Sequence, residues 1–64
     1  MAKIRRGGFI FLTGISDHRP EHVHVFRDRR PVVKWDLENG LVMEGKMSGR
    51  IMKLIVKLQK EGKL

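Results

Sequence analysis

The feature that most limits what this chain can become is a change of rhythm. In three stretches between Glu21 and Lys46 the side chains alternate in character every second residue, as half-buried strands require. From Ser48 onward the apolar residues recur at helical spacing instead. The 64 residues contain no internal repeat, low-complexity tract or linker, so 1–64 is expected to be a single domain. A chain of this size hides only about 60% of the surface its unfolded form exposes. With no cysteine, it has no disulfide to supplement that core, no thiolate zinc site and no thiol nucleophile.

Taken in order, residues 8–13 (Gly-Phe-Ile-Phe-Leu-Thr) are bulky and β-prone, and predict a short strand with both faces at least partly covered, ended by Gly14. Residues 15–20 predict a loop, with Asp17 suited to an Asx-type turn and Pro20 pushing Arg19 toward extended geometry. Glu21 to Arg27 predicts a second strand with His22, His24 and Phe26 on one face and Val23, Val25 and Arg27 on the other. A turn over Asp28 to Pro31 leads to a third strand, residues 32–37, in which Val33, Trp35 and Leu37 share a face against Lys34 and Asp36.

For the next connection, a three-residue loop with Gly40 in the left-handed position is preferred over a two-residue Asn39-Gly40 turn. It would pair Leu37 with Leu41, Trp35 with Met43 and Lys34 with Glu44 in a fourth strand from Leu41 to Lys46, apolar against apolar and plus against minus. Ser48 then caps a helix from Gly49 to about Glu61, with Met47 and Met52 as a hydrophobic staple and Gly62 at the stop. Ile51, Leu54, Ile55 and Leu58 form the stripe that should lie on the sheet. The expected fold is therefore α+β, a three- to four-stranded, mainly antiparallel sheet of order β-β-β-β-α with the C-terminal helix packed on one face. Dimerisation through an exposed sheet edge or face would extend so small a core.

The apolar run Phe9 to Leu12 is too short for the core of a secretion signal, and no stretch nears the ~20 apolar residues of a membrane span. No membrane role is expected; a soluble, cytoplasmic protein is. Fourteen Lys and Arg against seven Asp and Glu leave a net charge of +7, which favours an anionic partner, RNA or an acidic protein. The candidates for that contact are Arg27, Arg29 and Arg30 in the second turn and Arg50, Lys53, Lys57 and Lys60 along one arc of the helix. Exposed helix faces are usually charged, and cations near a helix C-terminus suit the macrodipole, so the arc also has a purely solvating explanation.

All three histidines, His18, His22 and His24, fall within seven residues. His22 and His24 leave the same strand face, and His18 on the preceding loop could fold over them. Three imidazoles could move protons on a phosphodiester while nearby arginines hold the phosphate, the site of a metal-independent ribonuclease. They could instead bind zinc or another divalent ion, with only Asp17 and Glu21 near enough in sequence to orient them. The structural alternative is that each histidine hydrogen-bonds Asp17, Glu21 or a loop carbonyl and pins the loop to the strand. Their face depends on the turn: two or four residues put His22 and His24 on the face of Trp35, three residues put Val23 and Val25 there. Beside the histidines, Trp35 could stack on a base; otherwise it is core.

The box Asp17-His18-x-Pro20-x-His22-x-His24-Val25-Phe26, then Val32-Val33-Lys34-Trp35-Asp36-Leu37 and a terminal amphipathic helix, resembles the small bacterial family known as domain of unknown function 4160. The similarity runs from about Ile4 to Leu64. It implies, by analogy, a toxin-like component of a toxin–antitoxin pair, since members are often encoded beside a second small protein. His18, Pro20, His22 and His24 match the box. Family members commonly carry Asp-Gly in the following turn, whereas this chain has Asp28-Arg29; arginine tolerates positive φ poorly, which argues against a tight two-residue turn here. The expected function is thus a basic, toxin-like module engaging RNA or an acidic, antitoxin-like partner protein through its histidine box. The alternatives are a non-catalytic nucleic-acid-binding or protein-interaction module and a small metal-binding protein.

Overall fold

The computed structural model describes residues 2–14 and 21–64. Five strands, β1 (Ala2–Arg6), β2 (Phe9–Thr13), β3 (His22–Arg27), β4 (Arg30–Asp36) and β5 (Leu41–Gly45), precede one helix, α1 (Gly49–Lys60). They form one antiparallel sheet in chain order, β1-β2-β3-β4-β5. The α+β class and the C-terminal helix are as expected; the sheet has five strands rather than three or four. The additional one is β1, a basic stretch whose pairing is set by the Gly7-Gly8 turn. Both glycines have positive φ, 61° and 85°, as the favoured two-residue hairpin turn demands, and Arg6 faces Phe9 across it.

The core lies between α1 and one face of the sheet. Phe9, Phe11, Val23, Val25 and Val33 from the strands meet Ile51, Ile55 and Leu58 from α1, and Ile4, Trp35 and Leu54 pack partly buried around them. α1 starts and stops where its chemistry says. The Ser48 hydroxyl accepts the Ile51 amide at 3.2 Å, satisfying one of the helix's free N–H groups. At the other end Gly62 has φ 77°, its amide donates to the Gln59 carbonyl, and the Lys63 amide donates to Leu58, the pair of bonds that closes a left-handed C-terminus. The end of α1 is tied to β1 by Arg6, whose two guanidinium nitrogens each donate to a Glu61 carboxylate oxygen at 2.9 Å.

Two connections differ from expectation. The β3–β4 turn is a tight two-residue one, Asp28 and Arg29, with φ 52° and 66°. The cost of holding a left-handed arginine is roughly 1–2 kcal/mol, and β3 and β4 recover it by pairing along their full length. A two-residue turn should have placed His22 and His24 on the face of Trp35, yet Val23 faces Trp35 instead. The reason is a bulge: Phe26 pairs with Pro31 but Val25 pairs with Val33, leaving Val32 as an extra residue that flips everything beyond it. The carbonyl of Val32 accepts the Lys46 amide, and a Cβ on Gly45 (φ 80°) would lie 2.1 Å from that oxygen, so only glycine fits there.

The second difference is the β4–β5 loop, which has four residues, not three. Asp36 pairs with Leu41 and Trp35 with Val42, in place of the expected Leu37–Leu41 and Trp35–Met43 partners. Asp36 causes this: its carboxylate accepts the amides of Glu38 (2.8 Å) and Asn39 (2.9 Å) and the side-chain amide of Asn39 (2.8 Å), an Asx turn that lengthens the loop. A bulge at Met43 then restores the expected Lys34–Glu44 pair, and Gly40 is left-handed as expected, with φ 69°.

Candidate functional site

Opposite α1 the sheet has a second face, and its residues follow from the register because cross-strand partners share a side. Along β3 these are His22, His24 and Phe26. His24 faces Leu12 on β2 and Lys34 on β4, with Lys3 and Glu44 continuing the row to the two edges. Phe26 faces Ile10 and Pro31, with Arg5 beyond Ile10. His22 faces Asp36. Its strand is anchored just upstream: the Leu37 amide donates to the Glu21 carbonyl at 2.9 Å, and the Glu21 amide donates to the Glu38 carboxylate.

The aromatic rings of β3 form a file. The His22 and His24 rings lie 5.0 Å apart in an edge-on arrangement, and the His24 and Phe26 rings lie 6.4 Å apart and within 14° of parallel. His22 is buried, at 9% exposure, and its cross-strand partner Asp36 at 4%. The Asn39 side chain holds the Asp36 carboxyl below the usual carboxylate range, aided by the turn amides and by the neighbouring His22. Burial pushes the His24 imidazole below its ordinary value, and His22 and Lys34 push the same way against a smaller pull from Glu44. His24 is therefore neutral at pH 7, able to accept a proton. Beside it, His24, Pro31, Lys34, Glu44 and Gly45 line a shallow hollow at the Val32 bulge.

The other residues singled out from the sequence are distributed elsewhere. Arg27 leaves the α1 side of the sheet, its guanidinium 5.6 Å from the centre of the Phe9 ring, and approaches Asp28 at 4.0 Å. Arg29 and Arg30 are exposed at the tip of the β3–β4 hairpin. Trp35 packs with the core on the α1 side, away from the histidines. Arg50, Lys53, Lys57 and Lys60 are exposed on α1, so these helix cations and the histidines occupy opposite sides of the molecule. His18 lies outside the described residues. Among the described residues no three His, Cys, Asp or Glu side chains come together as a metal site, and no helix is long and apolar enough to cross a membrane.

The neighbours that the sequence reading did not assign to the site are Lys3, Arg5, Lys34, Asp36 and Glu44. Lys34–Glu44 was legible as a charge pair, but its position beside His24 depends on the Val32 bulge. Lys3 and Arg5 join only through β1.

The class defined here is a small α+β protein with a five-stranded antiparallel meander, one helix on one face and a histidine-aromatic file on the other. Residues 8–63 match the family model described as Domain of unknown function (DUF4160), and the chain belongs to that family. No curated protein and no solved structure matches it.

Proposed function

We propose that this protein is a toxin-like module of a toxin–antitoxin pair that engages single-stranded RNA through the helix-free face of its sheet. The observation that carries the reading is the file His22, His24, Phe26, in register along one strand with Lys34 beside it. The half-buried rings of His24 and Phe26 offer stacking surfaces to successive bases, worth about 1–3 kcal/mol per base, with the buried His22 ring set edge-on behind His24, and flanking cations track the phosphates. Lys3 and Arg5 extend the positive border toward β1. The toxin-like part rests on the family resemblance alone.

A second reading, phosphodiester cleavage, is favoured by one particular observation: two imidazoles 5.0 Å apart, of which His24 is held neutral. His24 would take the proton from a ribose 2′-hydroxyl as that oxygen attacks the phosphorus. The P–O5′ bond would break and the 5′-oxygen leave with a proton from water, while Lys34 would offset charge on the phosphate.

The test is fluorescence anisotropy with a labelled single-stranded RNA across a salt series, comparing wild type with Phe26→Leu and His24→Ala. Each variant should lose at least ~5-fold in affinity, as expected for removing one stacked ring, and log affinity should fall linearly with log salt. Variants that melt like wild type and bind RNA equally well would refute the assignment. Gel analysis of the same RNA reads cleavage: product formed by wild type and absent with His24→Ala supports the second reading, and intact RNA throughout removes it.

A further inference from the structure

We infer that the outer face of α1 is a docking surface for an acidic amphipathic helix of a partner protein, separate from the sheet face opposite. Every charged side chain of α1 is a cation. Lys53, Lys57 and Lys60 lie with Met52 and Val56 around a shallow groove, in which Met52, Val56 and Lys60 follow one another at four-residue steps. Val56 is 40% exposed in the middle of these lysines, on the side of the helix turned away from the core residues Ile51, Ile55 and Leu58. Among the described residues none of the three lysines lies within ion-pair distance of a carboxylate; Lys57 acts only at longer range on Glu61, which Arg6 and Lys63 hold.

The combination selects the occupant. Val56 and Met52 give the groove an apolar strip that the lysines alone do not supply. α1 also carries no aromatic residue, so it offers a nucleic acid charge but no stacking surface. A second copy of this chain would bring its own net charge of +7 against the lysines. An amphipathic helix with acidic flanks satisfies both halves of the groove, its apolar side chains covering Met52 and Val56 and its carboxylates meeting Lys53, Lys57 and Lys60.

The experiment titrates the whole protein with three labelled probes: a peptide with leucines at helical spacing among glutamates, the same composition scrambled to destroy that spacing, and oligouridylate. The patterned peptide should bind at least ~10-fold more tightly than the scrambled one, a difference of about 1.4 kcal/mol. Val56→Asn should bring the two peptides level while leaving oligouridylate binding unchanged, and Lys57→Gln should weaken both peptides. Val56→Ala, which preserves helix propensity, is the companion variant should Val56→Asn melt early. Equal binding of the two peptides, indifference to both Val56 variants, or displacement of the patterned peptide by oligouridylate would overturn the inference.

Discussion

Arg29 sits at φ 66°, a left-handed backbone that glycine adopts freely and arginine does not. Its neighbour Asp28, at φ 52°, belongs to a residue type that tolerates the region. Arg29→Gly is therefore expected to raise stability by roughly 0.5–1 kcal/mol, the relieved strain less the extra freedom glycine has when unfolded. A higher urea midpoint with an unchanged slope would show it, and a lower midpoint would contradict the strain argument. The same residue shows why sequence reading missed the tight turn. The local penalty on a left-handed arginine is real, but pairing between β3 and β4 outweighs it and is not a local property of the sequence. Asp36 misled in a related way: read as one more alternating strand residue, it is the acceptor that draws Glu38 and Asn39 into a turn and lengthens the loop.

At the scale of elements, α1 was legible to both ends because its signals are local: Ser48 acts within three residues and Gly62 within four. The shared face of His22 and His24 was legible for the same reason, strand alternation. Which face it is was not, because the Val32 bulge is supported by Lys46 and by the close approach of Gly45, residues from a different strand and its end. β1 was hidden by its composition, since only Ala2 and Ile4 break its basic run, though Gly7-Gly8 was a hairpin signal in plain view. β1 is held to α1 through Arg6 and Glu61, and that pairing brings the Glu61 carboxyl down to about 2. A depressed carboxyl contributes stability above its ordinary value, 4.5, and loses it as pH falls toward about 2. The stability difference between wild type and Arg6→Ala should accordingly be near full at pH 5 and shrink steadily as pH falls toward about 2, measured by urea unfolding at each pH. A difference that does not change over this range would show that Arg6 contributes without the ionised Glu61 carboxylate, contradicting the ion-pair account.

Across the whole molecule the sheet separates two chemically different surfaces. One carries His22, His24 and Phe26 with Lys34 alongside; the other is covered by α1 and its lysines. Because both are positive in a chain of net charge +7, loss of binding on raising salt does not distinguish them. Location does. The most direct measurement is an amide and side-chain NMR titration of the protein with single-stranded RNA. Shifts centred on His22, His24, Phe26 and Lys34, with Lys53, Lys57 and Lys60 unmoved, are what the sheet-face assignment predicts. Shifts confined to α1, with the imidazole signals of His22 and His24 unchanged at saturation, would contradict it.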